Sequence, residues 1–137
     1  MSPLPQFSFD VRIAYADTDR MGVVYYGNYL TLFERGRTEL MRDLGLRYRD
    51  LEEKEHVFLP AAEAYVKYLS PAHYDDLIRV ITRVKKLGGA SIEFEYDIVD
   101  VESNRPIARG TTLHPFVDKT WKPVRVPASI RAKVTPA

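Results

Sequence analysis

The first segment of the chain alternates strictly between hydrophobic and polar positions. Its hydrophobic members share one face of an extended backbone: Phe7, Phe9, Val11, Ile13 and Tyr15. A period of two is typical of a half-buried β-strand, so the sequence predicts a strand over these residues. A loop follows and ends near Gly22. From about Asn28 to Leu44 the hydrophobic residues recur at helical spacing, and Gly45 is a natural end for the helix they predict.

This helix carries a single hydrophobic stripe that is predicted to face the core. The stripe consists of Leu30, Phe33, Leu40 and Leu44, with Tyr29 and Met41 beside it. Gly36 lies in the middle of the helix, where a glycine costs about 1 kcal/mol relative to alanine. Close approach of the backbone to a neighbouring element would compensate for that cost, so we expect one at Gly36.

The rest of the chain is predicted to be mostly extended. A short second helix over Tyr48–Lys54 is followed by segments with strand-like patterns: His56–Leu69, Ile78–Val84, Ile92–Ile98, Pro106–Val117 and the short Trp121–Pro127, then a helical turn over Ala128–Lys133. Pro60 indicates an edge strand or a bulge in the first of these segments. Short turns join the strands, which predicts an antiparallel meander. One long helix must bury its stripe against that sheet, so the fold class is α+β.

A sheet covered by one helix leaves strands open at its edges, and such edges are usually paired or covered. We therefore expect a homodimer that continues the sheet across its interface.

Size and composition narrow the class of protein. The chain has 137 residues, which suits one domain over residues 1–137. The formal net charge of +1 gives no support to nucleic-acid binding. The absence of cysteine excludes a cysteine nucleophile, a thiolate metal site and any disulfide, and it fits a reducing compartment. No secretory signal and no membrane-spanning stretch is apparent, so the cytoplasm is the expected location.

Two aspartates, Asp17 and Asp19, lie in the loop before the long helix. One interpretation is turn and capping chemistry, which aspartate favours. A calcium loop is excluded, because Met21 stands where a third oxygen ligand is expected and Asn28 where the closing glutamate should be. The other interpretation is a carboxylate that attacks a substrate or activates water beside helix-start N–H groups, which can stabilise an oxyanion.

The other candidate groups carry weaker signals. His56, His73 and His114 are scattered and form no metal-ligand pair, so no metal site is predicted. Glu34 lies on the helix and is most simply a solvated or paired side chain. A basic cluster at a strand end, Arg83, Lys85 and Lys86, is either a solvated rim or a contact for the phosphates of a nucleotide-like ligand.

The helix-start region resembles a known family. Its pattern D-x-D-x-x-G-V-V-Y-Y begins at Asp17 and ends at Tyr26, and Asn28-Tyr29-Leu30 and Phe33-Glu34-x-x-Arg37 follow. These residues closely resemble the hot-dog-fold acyl-CoA thioesterases, in particular the 4-hydroxybenzoyl-CoA thioesterase family with its branch of short-chain and Tol-Pal-associated enzymes. The resemblance extends over nearly the whole chain.

The resemblance implies a long helix wrapped by an antiparallel sheet, assembled into dimers and often tetramers. It implies that Asp19 is the acidic catalytic residue and that N–H groups around Val24, Tyr25 and Tyr26 polarise the carbonyl. Residues expected to contact the substrate and its coenzyme A portion are Asn28, Phe58, Lys85, Lys86 and Ser91. No metal or other cofactor is implied, since coenzyme A is part of the acyl-CoA substrate.

Tyr26 is a departure, because many short-chain members have a histidine there. A neutral phenol is a poor base near neutral pH, so the base would be Asp19 alone, with Glu34 as a reserve. Two alternatives stay open: a non-catalytic acyl-CoA binding module, and a dehydratase or hydratase, which would need a histidine near Asp19. The acyl preference is open too, although Phe58, Tyr65 and Tyr68 would suit an aromatic acyl group if they line a pocket.

Overall fold

The computed structural model describes residues 4–135 as a long helix packed on one five-stranded antiparallel sheet. Its elements in chain order are β1 Gln6–Arg12, α1 Asn28–Asp43, α2 Tyr48–Asp50, β2 Glu63–Tyr68, β3 Leu77–Leu87, β4 Ser91–Asp100, β5 Pro106–Pro115 and α3 Ala128–Val134. A single 3₁₀ turn over Tyr15–Asp17 precedes α1, and a wider turn over Leu51–Glu55 continues α2. The predicted α+β class is confirmed.

The order of the strands across the sheet is β1-β3-β4-β5-β2. Only β3, β4 and β5 form a meander, so the prediction of a meander through all the later strands is wrong for β2. This strand pairs with β5, with Val66 opposite Gly110. After β1, which forms one edge of the sheet, the chain passes through the long helix to β2, which forms the opposite edge. The last strand, β5, then pairs with β2 there. The edge position indicated by Pro60, which lies just before β2, is confirmed.

Helix α1 buries one face against the sheet, as its stripe predicts, but the stripe is rotated slightly. Its buried members are Tyr29, Leu32, Phe33, Gly36, Leu40 and Met41. Leu30 is 44% exposed, so its predicted place in the core is wrong, and Leu32 takes that place. Phe33 stacks on Tyr96 of β4 with ring centroids 4.2 Å apart. This pair holds the helix against the middle of the sheet.

Two glycines allow the close packing of helix and sheet. A Cβ at Gly36 would overlap Oγ1 of Thr82 on β3, and a Cβ at Gly110 would overlap the ring of Phe33. The close backbone approach expected at Gly36 is therefore confirmed. Gly45 has φ of +81°, a conformation that favours glycine, and it follows the end of α1 as predicted.

Two of the predicted strands differ from the structure: one ends earlier than predicted, and one is absent. Strand β1 stops at Arg12, and Tyr15 is 74% exposed in the following 3₁₀ turn, where the N–H of Asp17 donates to the carbonyl of Ala14 at 3.0 Å. The segment Trp121–Pro127 forms no strand; its extended contact is an isolated bridge between Val117 and Pro123. Within residues 4–135, no helix is long and apolar enough to cross a membrane.

Candidate active site

Asp17 holds the loop between β1 and α1 in place. Its carboxylate accepts the N–H of Ala14 at 2.8 Å. Its carbonyl accepts the N–H of Tyr25 at 3.0 Å and the side-chain amide of Asn28 at 2.9 Å. The capping and turn interpretation therefore describes Asp17. The side-chain amide of Asn28 helps to hold the same loop in place.

Asp19 lies in a tight turn that leaves part of its carboxylate available. Its backbone N–H donates to the carbonyl of Val23, and its carbonyl accepts the N–H of Gly22, both at 2.9 Å. Gly22 closes this turn with φ of +82°, a conformation that residues with a Cβ rarely adopt. Oδ1 of Asp19 accepts the N–H of Met21 at 2.9 Å. Within residues 4–135, Oδ2 has no hydrogen-bond donor, so it can meet a ligand.

The N–H groups that precede α1 divide into two pairs. Val24 donates to the carbonyl of Ala72 at 2.9 Å, and Tyr25 donates to Asp17. The N–H groups of Tyr26 and Gly27 have no acceptor among the residues that the structure describes. They stand at the positive end of the helix dipole, where a negatively charged oxygen is favoured. The geometry therefore favours Tyr26 and Gly27 as donors to a ligand over Val24 and Tyr25.

Tyr68, from the edge strand β2, contacts the start of α1. Its hydroxyl donates to the carbonyl of Tyr26 at 2.9 Å, and its ring meets the ring of Tyr29 edge-on with centroids 5.3 Å apart. The hydrogen bond orients the peptide unit that ends in the N–H of Gly27. Sequence reasoning placed Tyr68 in a possible acyl pocket and missed this role. No local signal could reveal it, because the contact spans 42 residues and depends on where β2 pairs.

Asp19 lines one cleft of about 320 Å³, which we call the Asp19 cleft; Gly27 is next to the lining residue Tyr26 but does not itself line the cleft. Its remaining lining is mostly hydrophobic: Met21, Val23, Val24, Tyr26, Tyr29, Tyr68, Leu69, Ser70 and Pro71. Burial raises the pKa of Tyr29 to about 12, so its phenol stays neutral near neutral pH. A cleft of this volume with few polar groups suits a small acyl group more than a highly charged ligand.

The other residues predicted for the site lie elsewhere. Lys85, Lys86 and Ser91 stand at the β3–β4 hairpin, where Lys85 is 3.8 Å from the carboxylate of Glu93. Phe58 precedes β2 and forms backbone hydrogen bonds with Val117. None of these residues lines the Asp19 cleft. Their roles in binding coenzyme A remain predictions.

His114 is a structural residue in this fold. It lies fully buried on β5, where Nε2 is 2.8 Å from Oγ1 of Thr112. Burial lowers its pKa to about 4, which keeps the imidazole neutral. Among residues 4–135, no group of three or more histidine, aspartate or glutamate side chains could hold a metal ion.

An antiparallel sheet wrapped on a long helix, with a carboxylate and free amides at the start of that helix, defines a hot-dog domain of the thioesterase type. The family model of the thioesterase-like superfamily matches residues 13–134, and the chain belongs to this superfamily. The resemblance read from the D-x-D-x-x-G-V-V-Y-Y pattern is therefore confirmed.

Individual relatives agree with this assignment. The acyl-CoA thioesterase YbgC of Haemophilus influenzae is 36% identical over 127 residues, which cover 92% of each chain. The solved structure of a DHNA-CoA thioesterase from Staphylococcus aureus is 31% identical with a TM-score of 0.82, covering 88% of this chain and 80% of that one. A 1,4-dihydroxy-2-naphthoyl-CoA thioesterase from Synechocystis has a TM-score of 0.89 over 94% and 95% of the two chains; at 22% identity it shows the fold alone.

Proposed function

We propose that this protein is an acyl-CoA thioesterase, which hydrolyses an acyl-CoA to a free carboxylic acid and coenzyme A. One observation carries the proposal: within residues 4–135, Oδ2 of Asp19 has no hydrogen-bond donor, and the N–H groups of Tyr26 and Gly27 at the nearby helix start have no acceptor. The activity named for the Haemophilus influenzae relative, which matches over nearly its whole length, supports the same chemistry.

The thioester carbonyl would accept hydrogen bonds from the N–H groups of Tyr26 and Gly27. As the carbonyl carbon becomes tetrahedral, negative charge develops on its oxygen, and one such donor can be worth about 3–4 kcal/mol. Asp19 would either attack that carbon directly or remove a proton from an attacking water. The thiolate of coenzyme A then leaves. It is a good leaving group, so the site needs no strong general acid.

Tyr26 would contribute its backbone N–H to this chemistry, while its side chain is a poor base. A neutral phenol can donate or accept a hydrogen bond but takes up a proton poorly. The general base would therefore be Asp19 alone. Glu34 does not line the Asp19 cleft, which disfavours it as a reserve within the same chain.

The active form would be a homodimer, or a dimer of such dimers, joined along β2. This strand is an open edge of the sheet, and it carries exposed aromatic residues, Tyr65 and Tyr68. A second chain paired there would lie next to the Asp19 cleft, because Tyr68 of β2 lines that cleft. Light scattering should give at least twice the chain mass of 15.8 kDa. A mass equal to one chain would contradict the dimer.

The proposed activity can be tested by measuring thiol release from short-chain, long-chain and aromatic acyl-CoAs. Asp19→Asn keeps the shape of the side chain but removes its negative charge, so kcat should fall about 10²–10⁴-fold. Asp43→Asn is the matched control, because Asp43 is exposed at the far end of α1. Equal rates for wild type and Asp19→Asn would refute the role of Asp19. Binding of acyl-CoAs without any turnover would favour the non-catalytic module instead.

A further inference from the structure

A second cleft opens at the other end of α1, beside α2. It has a volume of about 600 Å³ and shares no lining residue with the Asp19 cleft. Its charged lining consists of four arginines and two glutamates: Arg37, Arg42, Arg47, Arg49, Glu34 and Glu52. We call it the arginine cleft. Neither the proposed reaction nor the comparisons assign it a role.

Two of the four arginines are engaged by carboxylates outside the cleft lining. Arg42 pairs with Glu39 one helical turn earlier, and Nε of Arg47 is 4.0 Å from the carboxylate of Asp50. Among residues 4–135, Arg37 has no carboxylate within 4.0 Å, and Glu34 lies outside that distance from every cation. Glu34 therefore does not neutralise Arg37 by a direct ion pair.

Arg37 is held in position by a chain of buried polar groups. Its Nη1 donates to the hydroxyl of Tyr96 at 3.5 Å. That hydroxyl is 2.6 Å from Oγ1 of Thr112, which is 2.8 Å from Nε2 of His114. Burying three polar side chains in a core is costly unless each is hydrogen-bonded to the next. The contact to Arg37 is the longest of the three, so it directs the guanidinium towards Tyr96 without fixing it rigidly. This series of hydrogen bonds ends at the guanidinium of Arg37, whose other N–H groups donate to no acceptor within residues 4–135.

Tyr48 supplies a second donor with no acceptor. Its hydroxyl oxygen is buried and has no hydrogen-bond partner among the described residues. Burial raises the pKa of this phenol, while nearby Arg37 opposes the rise, so the hydroxyl keeps its hydrogen and can donate it. A buried hydroxyl without an acceptor is destabilising. An acceptor that displaces the side chains covering this oxygen would remove that penalty, and it would lie near Arg37, whose charge acts on the same hydroxyl.

We propose that the arginine cleft binds a small oxyanion, a carboxylate or a phosphate group, between the guanidinium of Arg37 and the hydroxyl of Tyr48. A hydroxyl without an acceptor and a guanidinium that has further N–H groups define an acceptor that carries negative charge. The volume of the cleft leaves room for the rest of a small molecule that bears this group. The site is independent of thioester hydrolysis, since it uses none of the residues of the Asp19 cleft.

The site can be tested by titrating ¹⁵N-labelled protein with sodium phosphate and with sodium acetate, using sodium chloride at equal ionic strength as the reference. Saturable amide shifts should centre on residues 34–59 and be absent with chloride. Arg37→Gln and Tyr48→Phe should each weaken binding about tenfold or more, because each removes a donor to a charged acceptor. Tyr74→Phe is the matched control, since that exposed hydroxyl lines neither cleft.

Tyr48→Phe keeps the test decisive even if Arg37→Gln fails to fold. The substitution removes only an unsatisfied hydroxyl, so the variant should be at least as stable as wild type without an anion. Preference for phosphate would assign the cleft to a phosphate-bearing ligand, and preference for acetate to a carboxylic acid. The proposal is overturned if neither anion gives saturable shifts, if chloride gives the same shifts, or if Tyr48→Phe binds as wild type does. No acyl-CoA is present, so the result does not depend on the proposed hydrolysis.

Discussion

Mild acid should destabilise this protein through one buried histidine, His114. Its side chain is fully buried, and burial lowers its pKa from the ordinary 6.5 to about 4. The charge of Arg37 lowers the pKa further, whereas the carbonyl groups of Leu59 and Pro60 oppose the change. Protonation of the folded protein would place a positive charge in the core next to Thr112, close to another cation.

The size of the effect follows from the two pKa values. Below about pH 6.5 the unfolded chain binds a proton at His114, while the folded chain binds one only near pH 4. The stability contributed by the neutral imidazole is therefore complete above pH 6.5 and is lost as the pH falls towards 4. At about 1.4 kcal/mol per tenfold change in proton affinity, the whole loss is about 3 kcal/mol, and about 2 kcal/mol is lost by pH 5. Set against a typical free energy of unfolding of about 5–15 kcal/mol, such a loss is easily measured.

Urea unfolding followed by circular dichroism at about pH 7.5 and about pH 5 measures this loss. The protein concentration must stay fixed, because a dimer unfolds in a concentration-dependent way. Wild type should lose about 2 kcal/mol more than His114→Gln, which cannot titrate in this range. His56→Asn is the matched control, because His56 is exposed and asparagine tolerates its positive φ. Equal losses in wild type and His114→Gln would refute the reasoning.

Two further substitutions test the hydrogen bond at the start of α1 and the packing of α1 on the sheet. Tyr68→Phe removes the hydrogen bond that orients the carbonyl of Tyr26, so kcat should fall about tenfold with little change in KM, whereas Tyr74→Phe, outside both clefts, should leave both unchanged. Equal kcat values for Tyr68→Phe and wild type would remove that role. Gly36→Ala should destabilise the fold by about 1–3 kcal/mol, because the new methyl group overlaps Thr82. In a double-mutant cycle measured by urea unfolding, Thr82→Ala should recover part of this loss; strictly additive losses would argue against the overlap.

The candidate site was predictable where its parts are close along the chain. Asp19 and the N–H of Tyr26 are seven residues apart, within one loop that leads into one helix. Their proximity therefore follows from local structure, and the D-x-D-x-x-G-V-V-Y-Y pattern was enough to propose both. Which amides remain free was not predictable, because Val24 donates to Ala72, a residue far along the chain.

Contacts between distant segments account for the rest of what sequence reasoning missed. Tyr68 reaches Tyr26 only because β2 pairs with β5 at the edge of the sheet. The series of hydrogen bonds that leads from Arg37 to His114 joins α1 to β4 and β5, and no sequence pattern indicates it. Leu32 replaces Leu30 in the core because the crossing of the helix over β3 sets which face is buried.

The sequence by itself determined the long helix, most of the strands, the fold class and the family of this protein. These follow from hydrophobic periodicity and backbone preferences that act over a few residues, as at the helix bounds of Asn28 and Gly45. The tertiary structure alone decided the place of β2, the free donors at the helix start and the arginine cleft. Each of these depends on which distant groups satisfy one another's hydrogen bonds once the core has closed.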